Sequence, residues 1–139
     1  LYFGKYPGIK NYIDSVIKFA KVNKFVETIT GRKRLLPEIN SPNFHSRSAS
    51  ERMAVNMPIQ GSSADIIKIA MIKIDHEIRS LNLLSKMIIQ VHDELIFEVH
   101  QNELNDLQEI ITKIMPNSLN LKVPLTIDIN IAKSWGELK

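Results

Sequence analysis

Three titratable side chains interrupt an otherwise apolar part of the sequence. In KMIIQVHDELIFEVH, residues 86–100, His92, Asp93 and Glu94 stand between two runs rich in Ile, Val and Phe. Carboxylates at the tip of a rigid hairpin stay open to solvent, and their oxygens are the ligands that a hard cation such as Mg²⁺ prefers. In nucleotidyl transfer two such ions, about 3.5–4 Å apart, stabilise the attacking and the leaving oxygen. The turn acids are therefore a candidate metal site, and a solvated turn without a ligand is the alternative.

A second pattern is a polar stripe on a predicted helix. Arg52, Asn56 and Gln60 follow one another at intervals of four residues, so a helix presents them on one face. Guanidinium and amide groups suit base edges, sugar oxygens and phosphates, and a helix offers them at regular steps along a groove. The alternative is a polar face that meets only solvent or a neighbouring loop. Pro58 lies within the stripe, and a sharp kink there would carry Gln60 away from it.

Other chemistries are not indicated by the sequence. The chain has no cysteine, which excludes disulfides and thiolate metal sites and weakly favours an intracellular location. His45, His76 and His100 do not stand at metal-ligand spacing. The segment QGSSAD lacks the pattern of a phosphate-binding loop, and no Ser-His-Asp order is supported. No apolar run approaches the roughly 18 residues of a membrane span, and no signal-peptide layout opens the chain.

The charges are distributed unevenly along the 139 residues. Residues 1–60 carry ten Lys or Arg against four Asp or Glu, whereas residues 61–139 carry eight against eleven. This asymmetry is expected of a molecule on which nucleic acid and divalent cations meet. A chance imbalance on a solvated surface is the alternative.

Local patterns predict the elements of the first third of the chain. Apolar residues recur at helical spacing over residues 9–24, namely Ile9, Tyr12, Ile13, Val16, Ile17 and Ala20. A hairpin is predicted over residues 25–39, FVETITGRKRLLPEI, with its turn at Thr30-Gly31. Because three cations, Arg32, Lys33 and Arg34, follow that turn, its tip is expected to be solvated or to lie on phosphate. NSPNFHS, residues 40–46, is predicted to be a loop.

A long helical region is predicted next, with two start signals of the capping-box type. One is Ser48 with Glu51 and the other is Ser62 with Asp65. Because Pro58 and Gly61 lie between them, the helix is expected to kink or restart there. Its second half, ADIIKIAMIKIDHEI, is apolar around much of its circumference, which predicts deep packing against a sheet.

The remaining elements complete an α+β pattern. Strands are predicted over residues 86–91 and 95–100, joined by a tight connection at residues 92–94. A helix over residues 102–115 presents Leu104, Leu107, Ile110, Ile111 and Ile114 on one face. A last strand is predicted where Leu125, Ile127, Ile129 and Ile131 alternate with polar residues. Hairpins with helices on one face predict an α+β fold with an antiparallel sheet and packed helices.

Together the two constellations resemble a known family. SASERMAVNMPIQGSSADIIKIAMIKI followed by IIQVHDELIFEV closely resembles the last third of the polymerase domain of family A DNA polymerases. The V-H-D-E segment matches that family's palm motif C, and the E-R-x-x-x-N-x-P-x-Q-G helix makes the resemblance highly specific. YFGKYPGIKNYI, FVETITGRKRLLPEI and VPLTIDINIAKSW extend it in the same order over nearly the whole chain.

The resemblance implies roles for individual residues. Asp93 matches the catalytic aspartate that ligates the metals, and Glu94 matches its supporting acidic neighbour. DNA-binding positions are implied for Arg47, Arg52, Asn56, Gln60 and His92. Of these, His92 would lie near the primer terminus, and the 52–60 stripe would follow the minor groove, whose acceptors look much alike for all correct base pairs. Ser46 departs from the family at a position where a second basic residue is common.

The resemblance also implies an incomplete site. Residues 1–45 would be a fingers-to-palm segment and residues 46–139 part of the palm. The family's D-Y-S motif, with its second metal-binding aspartate, is not in these 139 residues, nor is the fingers helix that holds the triphosphate. The sequence is therefore expected to be a piece of a longer polymerase, with two Mg²⁺ ions only in the intact enzyme and no activity by itself. Implied partners are primer-template DNA, deoxynucleoside triphosphates and the remainder of the chain, with no membrane. A bacterial source would imply a cytoplasmic, nucleoid-associated enzyme.

The leading hypothesis is a DNA-directed DNA polymerase of replication or repair, which transfers nucleotides to a primer 3′ hydroxyl by two-metal catalysis. A non-catalytic nucleic-acid-binding module that keeps the palm scaffold is the first alternative, and a metal-dependent phosphohydrolase is the second. An intact D-Y-S motif and fingers helix upstream would favour the polymerase.

Overall fold

The computed structural model describes residues 2–138, with side chains from residue 4 onward. Its elements in chain order are α1 (Tyr2–Lys5), α2 (Pro7–Asn23), β1 (Phe25–Glu27), β2 (Lys33–Leu35), α3 (Phe44–Ser80), β3 (Lys86–Val91), β4 (Glu94–Glu98) and α4 (Leu104–Ile114). Short 3-10 turns lie between β2 and α3 at Pro37–Asn40, before α4 at Gln101–Glu103, and after α4 at Trp135–Glu137. The predicted α+β class is confirmed, with helices packed beside two small antiparallel sheets of two strands each. No helix within residues 2–138 is long and apolar enough to cross a membrane.

The chain forms two compact units, Leu1–Asp65 and Ile66–Lys139, with α3 running from the first into the second. The boundary predicted between residues 45 and 46 separates a fingers-to-palm segment from part of the palm, and it stays a prediction. Its two ranges also include residues 1 and 139, which lie outside the described residues.

The first unit contains the predicted N-terminal helix and hairpin. Pro7 begins α2, where its missing N–H costs nothing, and Lys24 ends it in a left-handed conformation at φ 64°. Strands β1 and β2 pair antiparallel with Val26 opposite Arg34. Tyr12 ties α2 to α3, because its hydroxyl donates to the Val55 carbonyl at 3.0 Å. The core of this unit contains Ala20, Val26, Leu36, Ile39, Ala54 and Met57.

Helix α3 begins earlier than predicted and is continuous. Asn43 caps it, because the Asn43 side-chain oxygen accepts from the N–H groups of His45 at 2.9 Å and Ser46 at 3.2 Å. The predicted loop over residues 40–46 is therefore too long, and Ser48 is not a cap. Of the two alternatives predicted between Pro58 and Gly61, the restart is wrong, because the helix runs through both residues, and the kink stays a prediction.

The second half of α3 buries one stripe rather than its whole circumference. Ile67, Ala70, Ile74 and Ile78 are buried at helical spacing, whereas Ile72 is 71% exposed. Ile74 and Ile78 pack in one core with Leu107, Ile110 and Ile111 of α4 and with half-buried residues of the β3–β4 hairpin. The predicted packing of this helix against a sheet is thus observed for one face only.

The β3–β4 hairpin confirms the two strands predicted over this part of the chain but shifts one of them. Strand β4 begins at Glu94 and ends at Glu98, so the connection consists of His92 and Asp93 alone. His92 has a φ of 54°, and positive φ at the first turn residue matches the twist of the flanking strands. Pairing is irregular between Met87 and Ile89, where one extra residue bulges from β3.

The last predicted strand is wrong. Residues 124–132 pair with no strand in the part of the chain that the structure describes. The alternation behind the prediction is visible in burial only: Leu125 and Ile127 are half-buried, whereas Thr126 and Asp128 are exposed. A strand requires a partner backbone, and alternation in one segment does not supply it.

Candidate functional site

A groove in the first unit gathers basic and amide side chains. Its volume is about 490 Å³, and it is lined by Arg32, Lys33, Arg34, Met53, Asn56, Met57, Gln60 and Gly61. The three cations come from the end of the β1–β2 turn and from β2, and the other residues come from α3. Because the lining holds no acidic residue, its electrostatic character suits a polyanion.

Helix α3 brings only part of the predicted polar stripe to this groove. Asn56 and Gln60 both line it, so Pro58 does not carry Gln60 away from the stripe. Arg52 is exposed and is not among the lining residues, and its guanidinium donates to the Ser48 hydroxyl at 3.4 Å. The structure therefore groups the two amides with the hairpin cations, and Arg52 lies outside the groove on the same continuous helix.

The hairpin turn is fastened to α3 by a carboxylate that the sequence did not identify as functional. The Thr30 hydroxyl donates to Asp65 at 2.6 Å, and the Arg32 Nε donates to the same carboxylate at 2.8 Å. Only 10% of the Asp65 side chain is exposed. Hydrogen bonds from Thr30 first, and from Thr28 and Arg32 as well, lower the pKa of Asp65 despite its burial. Arg32 is thus bound to Asp65, yet 49% of its side chain stays exposed, which agrees with the solvated hairpin tip that the sequence predicted.

Lys33 and Arg34 are held more loosely in the same groove. The Lys33 ammonium lies 4.4 Å from the centre of the Phe25 ring, and the Arg34 Nε contacts the Met53 sulfur at 3.0 Å. Both side chains are exposed. Contacts with a ring face and a thioether leave most of their charge available to an anion. Lys33 and Arg34 are therefore candidate ligand-binding residues beside Asn56 and Gln60. Helical spacing predicted the two amides but not these two cations.

Arg47 lies at the start of α3 and is also engaged with protein. Its guanidinium donates to the carbonyls of Ser41 at 2.8 Å and Pro42 at 3.4 Å, and it lies 5.8 Å from the Phe44 ring centre. It therefore stabilises the loop before the helix. Its predicted contact with DNA stays a prediction.

The second unit carries the acidic turn. His92, Asp93 and Glu94 are all exposed, with His92 and Asp93 in the turn and Glu94 paired with Val91 at the start of β4. The Gln90 side-chain amide donates to the His92 carbonyl at 3.0 Å, which stiffens the turn. Among residues 2–138 no three His, Cys, Asp or Glu side chains stand close enough to hold a metal ion. The turn thus offers two exposed carboxylates, whose oxygens are of the kind that a hard cation prefers.

The base of this hairpin is fixed by a hydrogen-bond network. Glu103 accepts from the N–H groups of Leu84 and Ser85, each at 2.9 Å, and from the Ser85 hydroxyl at 2.6 Å. The Ser85 hydroxyl oxygen accepts in turn from the His100 N–H at 3.0 Å. The bond from the Leu84 N–H, together with those from Ser85, lowers the pKa of Glu103. The network joins the chain just before β3 to the chain just after β4.

These features define a class of protein before any comparison is made. One α+β unit carries a groove of cations and amides, and the other carries a solvent-open pair of carboxylates on a stiff turn. Polyanion binding combined with ligands for a hard cation is typical of proteins that process nucleic acids.

Comparison with known proteins narrows that class to one family. A family model described as DNA polymerase family A matches residues 1–137. The chain is 45% identical to DNA polymerase I of Lactococcus lactis subsp. cremoris and 46% identical to that of Streptococcus pneumoniae, each over 138 residues and 99% of its length. The chain belongs to DNA polymerase family A, which confirms the resemblance found in its sequence. Polymerases of this family are in general metal-dependent.

A solved structure agrees with the sequence relatives. The fold is similar to that of the POL domain of Pol1 from M. smegmatis, solved in complex with DNA primer-template and dNTP, with a TM-score of 0.88 and 44% identity. The match covers 90% of this chain and 22% of that one. The curated relatives are longer still, and the present chain spans only 16% of their length.

Proposed function

We propose that this chain supplies one side of the active site of a DNA-directed DNA polymerase. The reaction is template-directed transfer of a nucleotide to a primer 3′ hydroxyl. The observation that carries the proposal is the exposed Asp93–Glu94 pair on a hairpin stiffened at its turn and fixed at its base, in a chain of this family. Because the chain spans 16% of its relatives' length, the activity is proposed for a longer polymerase that contains these residues.

Asp93 is proposed to be the metal ligand and Glu94 its acidic neighbour. Two Mg²⁺ ions, when bound in the intact enzyme, would stabilise the charge on the attacking and leaving oxygens. The role of this chain is to hold the Asp93 carboxylate at a fixed, water-exposed position. Glu94 adds negative potential from the first residue of β4, and His92 is proposed to lie near the primer terminus. A second carboxylate must come from outside these residues, so the chain by itself is proposed to be inactive.

Primer-template DNA is proposed to bind through the groove and the face of α3. Asn56 and Gln60, with Arg52 on the same helix, would read the minor groove, and Lys33 and Arg34 would contact phosphates. Arg47 is proposed as a further DNA contact. Deoxynucleoside triphosphates and the rest of the polymerase would complete the complex. Residues 1–45 are proposed to connect fingers and palm and residues 46–139 to form part of the palm, in a cytoplasmic, nucleoid-associated enzyme if the source is bacterial.

A non-catalytic nucleic-acid-binding module is the second candidate. One observation favours it: the groove combines cations and amides without an acidic residue, whereas among residues 2–138 the acidic turn has no further metal ligands beside it. A module of this kind would bind duplex DNA and synthesise none, whatever metal is supplied.

The test is primer extension with Mg²⁺ by an intact polymerase carrying this sequence, compared with its Asp93→Ala variant. Synthesis should fall by more than about 10³-fold, because several kcal/mol of charge stabilisation are lost and each ~1.4 kcal/mol is tenfold in rate. DNA binding should remain. Glu98→Ala, which removes an exposed carboxylate from the far end of the same hairpin, is the matched control. Synthesis that survives Asp93→Ala would contradict the metal-ligand role, and an inactive parent enzyme would favour the binding module.

A further inference from the structure

One buried carboxylate outside the predicted site joins the two walls of the basic groove. Asp65 lies on α3, one turn beyond Gly61, and receives hydrogen bonds from Thr30 and Arg32 of the hairpin turn. These partners are 35 and 33 residues away in sequence, so the contact is entirely tertiary. Asp65 itself does not line the groove.

Arg32 belongs to this junction, although it also lines the groove and 49% of its side chain is exposed. Its Nε donates to Asp65 at 2.8 Å and its Nη2 donates to the Gly61 carbonyl at 3.1 Å. Its charge is largely compensated by the buried carboxylate. Lys33 and Arg34, by contrast, have no carboxylate within ion-pair distance in the part of the chain that the structure describes. All three cations line the groove, but only Arg32 is ion-paired with a carboxylate of α3.

The helix surface is shaped to receive the hairpin at this point. A side chain at Gly61 would place its Cβ 2.6 Å from the Thr28 methyl group and 3.3 Å from the Arg32 Nη2. The neighbouring Ser62 hydroxyl accepts from the Ile29 N–H at 2.9 Å. Close approach at Gly61, together with the hydrogen bonds that Ser62 and Asp65 accept from the hairpin, fixes where β2 lies relative to Asn56 and Gln60.

We propose that Asp65 is a positioning residue for nucleic-acid binding, which holds the β1–β2 turn on α3 so that Lys33 and Arg34 face Asn56 and Gln60 across the groove. The inference rests on the proposed function, because it takes the backbone of primer-template DNA as the polyanion. Asp65 touches no DNA in this account and acts only through Thr30 and Arg32.

A positioning role for Asp65 and a purely electrostatic role predict opposite effects of its removal on DNA affinity. Removing a negative charge beside a cationic groove should tighten DNA binding if only net charge matters. If Asp65 positions the hairpin, its removal lets Lys33 and Arg34 move away from their phosphates and weakens binding. Asp65→Asn keeps the shape of the side chain and removes the charge, so it separates the two outcomes.

The experiment measures the Kd of an intact polymerase for a primer-template duplex across a series of salt concentrations. For Asp65→Asn we expect a Kd about three to ten times higher and a salt slope smaller by about 1, as for the loss of one phosphate contact. The KM for primer-template should rise more than kcat at saturating DNA falls. A variant that is merely less stable would change the active fraction and leave the salt slope of the folded enzyme unchanged.

Two further variants keep the test decisive. Asp14→Asn removes the same charge from an exposed site on α2 outside the groove and should not weaken binding. Arg32→Lys keeps the charge but loses the planar fork, so it should weaken binding in the same direction as Asp65→Asn, and it decides the matter if Asp65→Asn does not fold. Unchanged or tighter binding with an unchanged salt slope, or a loss confined to kcat, would overturn the inference. Failure of the proposed function would be recognised separately, because in that case the parent enzyme itself would not extend a primer.

Discussion

The two hairpins of this molecule are fastened at opposite ends. The β1–β2 hairpin is fixed at its turn, where Thr30 and Arg32 bind Asp65 on α3. The β3–β4 hairpin is fixed at its base, where Ser85 and Glu103 join the two ends of the strands, and its turn is exposed. In each case a half-buried or buried carboxylate accepts several hydrogen bonds, and in each case those bonds lower the pKa of the carboxylate.

The difference matches what each hairpin is proposed to do. A hairpin that forms one wall of a groove must keep a fixed distance from the opposite wall, so it is fastened where its charges are. A hairpin that presents carboxylates to metal, primer and nucleotide must leave its tip accessible, so it is fastened as far from the tip as possible. Rigid support with an open reacting end is what a functional site requires of its scaffold.

The largest effect on stability is expected at the base of the acidic hairpin. Ser85 is 2% exposed, and Ser85→Ala leaves the His100 N–H without its acceptor. It also removes one of the two hydrogen bonds to the Glu103 Oε2, which keeps the bond from the Ser85 N–H. The local free energy of opening should fall by about 1–3 kcal/mol, the cost of leaving buried polar groups unpaired. Native-state hydrogen exchange of the β3 and β4 amides measures it. Ser80→Ala, which alters an exposed hydroxyl of α3, should have little effect. Equal protection in both variants would show that the hairpin is not held at its base.

A smaller effect is expected where the basic hairpin meets the helix. Gly61→Ala improves helix propensity by about 1 kcal/mol, but its Cβ would collide with the Thr28 methyl group, and such overpacking costs about 1–3 kcal/mol. We expect a net loss of about 1 kcal/mol in stability, with weaker DNA binding. Gly8→Ala in α2, where a Cβ meets nothing within 4 Å, is the matched control and should be neutral or stabilising. A gain in stability at both positions would show that the hairpin does not depend on close approach at Gly61.

Much of the fold was predictable because it follows local rules. Helical spacing predicted α2 and α4, and the short β-type runs around Thr30-Gly31 and around residues 92–94 predicted both hairpins. The extent of α3 was less predictable, because Ser48 with Glu51 fits a capping box as well as Asn43 fits a single cap. The segment 125–131 alternates like a strand, yet whether it becomes one depends on a partner strand that its own residues do not specify.

The site was predictable to the extent that its residues are neighbours in sequence. Asn56 and Gln60 were predicted from their spacing, and Asp93 and Glu94 from their position in a predicted turn; their roles stay predictions. Asp65 was missed because Ser62 and Asp65 imitate a capping box, whereas both side chains in fact bind the hairpin. A local sequence pattern does not predict a contact between residues more than thirty positions apart. The glycine at position 61, within an uninterrupted helix, was the one signal in the sequence of a close approach.

The smallest change is expected in how the stability contributed by each of the two carboxylates depends on pH. This dependence compares the two anchors directly. Because the folded-state pKa of both Asp65 and Glu103 is lowered, the unfolded chain binds protons first as the pH falls. The stability that each carboxylate contributes is complete above the ordinary carboxyl range and is lost as the pH falls through the lowered folded-state pKa. The stability difference between wild type and Asp65→Asn, or wild type and Glu103→Gln, should therefore shrink in acid. Asp128→Asn, at an exposed carboxyl, is the control.

Thermal unfolding over a pH series measures these differences, and native-state hydrogen exchange assigns them to one hairpin or the other. We expect the larger acid-dependent change for Asp65, because its side chain is only 10% exposed and its partners include a cation, whereas Glu103 is half-buried and binds neutral donors. A difference that stays constant as the pH falls would show that the carboxylate charge does not hold the hairpin. A larger change for Glu103 would reverse the comparison and make the acidic hairpin, fixed at its base, the more strongly charge-anchored of the two.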